Sequence, residues 1–295
     1  MLSFITDMSK KIPTKLAWII FWLIAALIAS WLNYQNRHLV TTTYQIKDSS
    51  WPEILNGWRL VQLSDLHNQA TYGPGNKKII ATIKNLKPHA IVLTGDTFDG
   101  RSTNISANLS LITALKEIAP VYYITGNHEF SNDDYLSLVL SAQEAGATTL
   151  RDEIIPIEEC GATINIIGLD DPSVLGYPIP SSTVKEITER KLHFLESLSN
   201  NYPTIILAHR PELWSSYLTI KPLAIFSGHT HGGQLRLPFI GSTYVPNQKL
   251  FTKYDRGLFH FGQTSMIINQ GIGNSTLEQR LLAYPEIVSV DFFHQ

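Results

Sequence analysis

The feature that most constrains the fold is an alternation of short apolar runs with segments of helical periodicity. Each run is short enough for a buried strand, and each is followed by a stretch long enough for a helix that covers a sheet. This β-α-β-α-β-α order predicts an α/β fold with a mostly parallel sheet flanked by helices. The strand candidates are Arg59–Leu63, Ala90–Leu93 and Val121–Ile124, and the helix candidates are Gly75–Leu86, Ser106–Ile118 and Asp133–Ala145.

The second half of the chain begins differently, because strand-like runs follow one another over Thr148–Leu169 without a helix between them. Further strands and one helix are predicted downstream. No linker-like composition interrupts residues 58–295, so we expect them to form one domain. The later strand candidates are Thr204–Leu207, Pro222–Phe226, Met266–Asn269 and Ile287–Phe293, and the helix candidate is Thr183–Ser197.

An uncharged apolar run over residues 16–32 reaches the lower end of the length needed to span a bilayer. Trp18 and Trp31 lie near its ends, where aromatic rings favour the membrane interface. We expect an uncleaved N-terminal membrane anchor over residues 1–32, followed by a polar linker over residues 33–57. A cleavable signal peptide and an interfacial helix with a cytoplasmic body are the alternatives. Lysines before the run favour a domain outside the cytoplasm.

Composition argues against two kinds of function. The net charge of −2 provides no basic footprint for a nucleic acid. The single cysteine, Cys160, rules out a disulfide framework or a cysteine-based zinc site within one chain.

Residues that can bind a metal follow the ends of the predicted strands. Carboxyl ends of parallel strands share one edge of a sheet, so these residues are expected to meet there. Mixed nitrogen and oxygen ligands suit Mn, Fe, Zn or Co. Seven ligands exceed one tetrahedral ion and fit two ions, and a pair about 3.5–4 Å apart is the arrangement used for phosphate ester hydrolysis. The residues are Asp65, His67, Asp96, Asn127, His209, His229 and His231.

Each of these residues also has a purely structural interpretation. His229 and His231 can face one point in an extended segment, but they can also be exposed histidines of a glycine-rich turn. Asp65 and Asp96 can cap the loops that follow them, and Asn127 can be a turn residue. A common metal site is favoured because the structural interpretation needs separate coincidences at five strand ends.

Five motifs in this order resemble the calcineurin-like metallophosphoesterase family, from about Arg59 to the C-terminus. The tail segments 269–275 and 284–287 are similar to its membrane-anchored bacterial branch. The resemblance implies a two-sheet β-sandwich flanked by helices, attached to a bacterial inner membrane. The motifs are Asp65-x-His67, Gly95-Asp96-x-x-Asp99, Gly126-Asn127-His128-Glu129, His209-Arg210-Pro211-Glu212 and Gly228-His229-Thr230-His231-Gly232-Gly233-Gln234.

The resemblance also implies a role for each site residue. The catalytic candidates are Asp96, which bridges two metals, and His128, which faces the scissile phosphate and helps to protonate the leaving oxygen. A metal-bound hydroxide is the implied nucleophile. Asp99 and Glu129 are expected to orient imidazoles. Asp65, His67 and His231 are expected to hold the first metal, and Asn127, His209 and His229 the second.

The implied function is hydrolysis of a phosphodiester or pyrophosphate by two divalent ions, Mn first and Fe or Zn as alternatives. Some relatives act on UDP-2,3-diacylglucosamine, which makes a lipid or cell-envelope substrate the expectation. Leu235–Arg256 mixes aromatic and cationic residues and suits an anionic lipid headgroup, although a surface hairpin whose aromatics pack on the core is the alternative.

The sequence departs from the family pattern in the long Asn68–Tyr72 segment before Gly73 and in Glu129, where many relatives have Asp. A catalytically silent metal-binding scaffold is the other functional hypothesis.

Overall fold

The computed structural model describes residues 13–67, 72, 74–99, 105–176, 179–243, 245, 252–274 and 278–295. Its helices are α1 (Thr14–Arg37), α2 (Lys77–Leu86), α3 (Ser106–Lys116), α4 (Asn127–Phe130), α5 (Tyr135–Glu144), α6 (Ser181–Glu196) and α7 (Trp214–Tyr217). Its strands are β1 (Val40–Asp48), β2 (Trp58–Leu63), β3 (Ala90–Thr94), β4 (Val121–Ile124), β5 (Thr148–Thr149), β6 (Glu153–Glu159), β7 (Ala162–Gly168), β8 (Thr204–Leu207), β9 (Ala224–Ser227), β10 (Arg236–Leu237), β11 (Gly241–Ser242), β12 (Gly257–Phe261), β13 (Thr264–Ile268) and β14 (Glu286–His294).

The long strands form two six-stranded sheets. The first has the order β1-β14-β2-β3-β4-β5, and it is parallel from β2 to β5. The second has the order β12-β13-β9-β8-β7-β6, with a parallel centre and an antiparallel strand at each edge. Helices connect successive strands from β2 to β5 in the first sheet and from β7 to β9 in the second, which allows these strands to run parallel.

Alternation of side chains along each strand divides the apolar residues into layers. Leu60 of β2 and Ile205 of β8 belong to a core between the two sheets. Val61 of β2 packs instead in a core with helices α2, α3 and α5, and Ile206 of β8 packs in a core with α6 and α7. The architecture is therefore a two-sheet sandwich flanked by helices, as predicted.

The prediction that residues 33–57 form a linker is wrong. Helix α1 continues to Arg37, and β1 pairs in parallel with β14 from Val40↔Glu286 to Asp48↔His294. Exposed residues alternate with partly or fully buried ones along β1, as is typical of an edge strand with one solvated face. The polarity of that solvated face led to the linker interpretation.

Helix α1 is long and apolar enough to cross a membrane, and none of its most apolar stretch is buried inside the protein. Among the residues that the structure describes, the buried residue of α1 lies near its C-terminal end. There Gln35 is fully buried, and its Oε1 accepts a hydrogen bond from the backbone N–H of Leu282 at 3.2 Å. The side-chain oxygen of Asn36 accepts from the backbone N–H of Arg280 at 2.7 Å. The helix is therefore fixed to the domain at the end of the predicted membrane span.

Candidate metal centre

The seven predicted ligands lie on five loops, each of which follows the carboxyl end of a parallel strand. Strands β2, β3 and β4 of the first sheet and β8 and β9 of the second end beside one another. Both sheets therefore contribute to one site at their common edge. The ligand candidates are Asp65 and His67 after β2, Asp96 after β3, Asn127 after β4, His209 after β8, and His229 and His231 after β9.

Six of the seven form two triads whose potential ligand atoms lie within 4.8 Å of one another. In the first triad, His231 Nε2 lies 3.3 Å from Asp65 Oδ1 and 3.1 Å from His67 Nε2. The second triad combines Asp96, His209 and His229, with His209 Nε2 3.2 Å from Asp96 Oδ2. Each triad offers the mixed carboxylate and imidazole set that divalent transition metals accept.

Asp96 lies between the two triads. Its Oδ2 is 3.2 Å from His209 Nε2 on one side and 3.8 Å from His67 Nε2 on the other. Its Oδ1 accepts a hydrogen bond from the backbone N–H of His128 at 2.8 Å. A carboxylate placed in this way can serve two cations at once.

The ligand loops have an unusual backbone conformation. Five of the candidates have positive φ angles between 50° and 69°, in the left-handed region that residues other than glycine seldom occupy. Such strain concentrates at functional sites, where the surrounding structure holds it in place. The five are Asp65, His67, Asp96, His229 and His231.

Two glycines allow the loops to approach closely. A Cβ on Gly126 would overlap the Asp96 carboxylate, and a Cβ on Gly228 would overlap Ser64 Oγ and the Asp65 carboxylate. Both positions therefore require glycine on steric grounds.

Burial keeps three of the histidines in the neutral form that binds metals. It lowers the pKa of His67 to about 4 and that of His229 to about 3, and neighbouring cationic side chains add to both shifts. The pKa of His231 falls well below its ordinary value for the same reason, with His67 and Arg280 contributing. Protons therefore compete weakly with a cation for these three imidazoles.

Asp96 and His209 form a buried pair in the absence of metal. Burial opposes ionisation of Asp96, but His209 and His67 outweigh it and hold the pKa of this carboxyl below its usual range. Burial alone lowers the pKa of His209, whereas the adjacent Asp96 raises it to about 10. Burial raises the pKa of Asp65 to about 6, so this carboxylate needs nearby positive charge to stay ionised.

The residues present fit a pair of cations. Asn127 Oδ1 is buried without a hydrogen-bond partner among the residues that the structure describes. The Nδ1 of His209 lies 2.7 Å from the Thr94 carbonyl oxygen, which can only accept, so Nδ1 keeps its proton, and Nε2, which faces Asp96, is the nitrogen that would release its proton to bind a cation. Buried lone pairs without partners are costly, and a cation supplies the partner.

The three further residues of the motifs differ in what they contact. His128 is partly exposed, its ring centroid lies 4.5 Å from that of His67, and its Nδ1 lies 3.6 Å from Asp99 Oδ1. Glu129 accepts backbone N–H groups of Asp96 at 3.1 Å and of Gly126 at 2.8 Å. The expectation that Glu129 orients an imidazole is therefore wrong, because its carboxylate fixes the backbone of the ligand loops instead.

Two charged residues beside the site had no role in the sequence analysis. Glu212 Oε1 lies 3.9 Å from His229 Nε2, and burial raises the pKa of this carboxyl to about 7. Arg280 is fully buried, and its Nη2 lies 3.3 Å from His231 Nδ1. Glu212 is part of a quoted motif, so its position could have been inferred. Arg280 lies in a polar segment that gives no local indication of burial.

Comparison with known proteins places these features in context. Residues 59–233 match the calcineurin-like phosphoesterase family. The metallophosphoesterase YkuE of Bacillus subtilis is 32% identical over 86% of each chain. The phosphodiesterase YaeI of Escherichia coli is 28% identical over 83% of this chain and 84% of its own.

Two further similarities concern the membrane and the fold. A bovine protein named as a transmembrane protein with a metallophosphoesterase domain is 26% identical over 84% of this chain, which spans 56% of that longer protein. A dimetal phosphatase from Danio rerio shares the fold with a TM-score of 0.50 at 14% identity, covering 81% of this chain and 93% of its own. Because the family match covers more than half of the 295 residues, the chain belongs to the calcineurin-like phosphoesterase family.

Proposed function

We propose that this phosphoesterase uses two divalent cations to hydrolyse a phosphodiester or a pyrophosphate of a lipid or cell-envelope molecule. The observation that supports the dinuclear site is the pair of triads that meet at Asp96. Asp65, His67 and His231 hold one cation, while Asn127, His209 and His229 hold the other. When bound, such a pair activates water and neutralises the charge that develops on phosphorus oxygens.

The protein groups around Asp96 set the geometry for this chemistry. The backbone N–H of His128 fixes one oxygen of Asp96, which leaves the other oxygen directed at His209 and His67. Glu129 holds the same loop through the backbone N–H groups of Asp96 and Phe98. A ligand supported from two sides keeps its position when the substrate binds.

His128 is the proton donor in this proposal. With a side chain 22% exposed, it is open to a substrate, whereas the ligand histidines are buried. The Asp99 carboxylate lies 3.6 Å from its Nδ1 and can hold the ring in position. The other ring nitrogen can then stabilise a phosphoryl oxygen and donate a proton to the leaving oxygen.

The N-terminal helix supports a substrate at the membrane. Relatives described as transmembrane proteins and the apolar helix α1 together indicate membrane anchoring. We propose a bacterial inner-membrane location with the domain outside the cytoplasm, following the lysines that precede the apolar run. A nucleotide-linked lipid such as UDP-2,3-diacylglucosamine is one candidate, and Mn is the first metal to test, before Fe and Zn.

The test is Mn-dependent hydrolysis of bis(p-nitrophenyl) phosphate by the wild type, His128→Ala and His193→Ala. His193 is exposed on α6 and serves as a matched control. Loss of a general acid should lower kcat by about 100- to 10,000-fold in His128→Ala and leave His193→Ala active. No turnover by a metal-loaded wild type would favour a silent metal-binding scaffold.

The substrate class needs a second assay. Lipid pyrophosphates, glycerophosphodiesters and aryl phosphates should be compared side by side with the full-length protein. Faster turnover of the lipid substrates supports the proposal, and equal turnover of soluble and lipid substrates contradicts it.

A further inference from the structure

A short hairpin next to the ligand loop exposes an apolar tip. Its strands, β10 and β11, pair in antiparallel register, with Arg236 opposite Ser242 and Leu237 opposite Gly241. The tip, residues 237–240, reads Leu-Pro-Phe-Ile and is exposed throughout, and Phe239 has a relative exposure of 109%. An exposed run of this kind is unusual unless it contacts a membrane or another molecule.

The alternative that aromatics of this region pack on the core holds for only part of it. The ring of Tyr254 contacts those of Trp214, Phe259 and Phe261 in tilted or edge-to-face arrangements, so it packs on the core. Phe239 does not contribute to any of the buried clusters of the described residues. Tyr244, Lys249 and Phe251 lie outside the residues that the structure describes.

The base of the hairpin is fixed to the metal site. Arg236 Nη1 donates to the carbonyl oxygen of Gly232 at 2.7 Å and to Asp255 Oδ2 at 2.6 Å. Gly232 directly follows the ligand candidate His231. Movement of the hairpin base therefore acts directly on the ligand loop.

The same base is hydrogen-bonded to the segment that holds α1. The backbone N–H of Leu281 donates to Gln234 O at 2.8 Å, and that of Arg236 donates to Leu281 O at 3.0 Å. One residue earlier, the backbone of Arg280 binds Asn36 of α1, and Gln279 Nε2 donates to Leu32 O at 3.0 Å. The hairpin base therefore lies beside the point at which α1 leaves the domain.

We infer that residues 237–240 insert into the lipid bilayer that α1 crosses, so that the metal site faces the membrane surface. Leu32 is the last residue of the apolar run and contacts Gln279 directly, which leaves no spacer between membrane and domain. Phe239 lies at the turn of the hairpin, where the backbone N–H of Ile240 donates to the Leu237 carbonyl oxygen at 3.3 Å, and its side chain is fully exposed there.

The inference rests on the proposed anchoring of α1, and its test separates the two. The full-length protein, carrying Cys160→Ser, is labelled with nitrobenzoxadiazole at Phe239→Cys and reconstituted into phosphatidylglycerol–phosphatidylcholine vesicles. Separate preparations carry the label at Leu27→Cys inside the span and at Phe194→Cys on α6, which is also exposed. Lipids brominated on the acyl chain serve as quenchers.

Bromolipids should quench the labels at positions 239 and 27 and leave the label at position 194 unchanged. Quenching at position 27 alone overturns the hairpin inference and leaves the anchor intact, whereas no quenching at either position overturns both. Shielding of position 239 from aqueous iodide without quenching by bromolipids indicates a protein partner and also overturns the inference. None of these outcomes depends on catalysis.

A kinetic measurement provides a second criterion. The double variant Phe239→Ser, Ile240→Ser changes residues that do not contact the proposed ligands, so hydrolysis of bis(p-nitrophenyl) phosphate should be unchanged. The double variant removes two apolar side chains that would insert into the bilayer. This should lower the equilibrium constant between the docked and undocked orientations of the domain by about 10-fold or more, and hydrolysis of a vesicle-bound phosphodiester should fall by a similar factor. Equal losses with both substrates, or no loss with either, contradict the inference.

Discussion

Replacement of Gly126 by alanine tests whether the position of Asp96 controls catalysis. Gly126 has a φ of −112°, which any residue adopts, so the substitution adds no backbone strain. The new Cβ would lie 2.9 Å from the Asp96 carboxyl carbon and closer still to its Oδ1 and its backbone nitrogen. Carbon contacts are ordinarily about 3.5 Å or longer, so Asp96, including its backbone, has to move by at least about 0.6 Å.

A shift of this size at the proposed bridging ligand has a calculable effect. A misplacement of about 1 Å costs on the order of 100-fold in rate, so Gly126→Ala should lower kcat by about 10- to 100-fold. Crowding of the buried loop should also cost about 1–3 kcal/mol of unfolding free energy. The assays are Mn-dependent hydrolysis of bis(p-nitrophenyl) phosphate and denaturant unfolding.

Gly161→Ala is the matched control. Gly161 is exposed in a turn, has no heavy atom within 4 Å of an added Cβ, and has a φ of 81°. Left-handed strain should cost this variant about 1–2 kcal/mol of stability while the site stays intact. If Gly126→Ala is as active as Gly161→Ala at similar stability, Asp96 does not need its observed position, and the proposal is refuted.

Three further predictions follow from the site. Asn127→Ala should reduce the bound metal from about two ions per chain to about one, measured by elemental analysis, and full retention of two ions would exclude Asn127 as a ligand. In the chelated protein, the pKa of His209 is raised from 6.5 to about 10. A raised pKa stabilises the fold below pH 6.5, and this contribution is lost as the pH rises through about 10, so the unfolding free energy should fall by a few kcal/mol over that range. Denaturation at several pH values should show this slope, and His209→Gln should flatten it. Arg280→Met should cost about 2–6 kcal/mol of unfolding free energy, because the buried acceptors Gln270 O and Asn274 Oδ1 lose their donor at about 1–3 kcal/mol each. A loss below about 1 kcal/mol would mean that these acceptors find other donors.

The periodicity of the sequence predicted the central strands and the edge at which the ligands meet. Short apolar runs such as Ala90–Leu93 are buried on both faces, which makes a parallel strand recognisable without knowledge of its neighbours. Once the strands are known, the rule for open sheets brings Asp65, Asp96 and His209 together although they are distant in sequence. This part of the site follows from local pattern and topology alone.

The rest of the site depends on contacts that local pattern does not reveal. β1 reads as polar because one of its faces is solvated, and its place in the sheet is set by pairing with β14 at the far end of the chain. Arg280 is buried only because α1, the hairpin base and the ligand loop surround its segment. Glu129 was recognisable in principle, since a glutamate three residues after Gly126 matches the capping-box position that binds the backbone N–H at a helix start.

Under the proposed function, strain in the ligand loops would give the cations a role in folding as well as in catalysis. Five ligand candidates adopt left-handed backbone angles, each at a cost of about 1 kcal/mol or more. The buried Asp65 carboxylate and the unpartnered Oδ1 of Asn127 add to that cost when no cation is present. Hydrogen bonds from the backbone of His229 to Asp65 and from that of His128 to Asp96 hold the loops in this conformation, but they do not neutralise the charge. We expect the binding of divalent cations to offset these costs together, so that the strain that orients the ligands also couples metal affinity to the stability of the sheet edge.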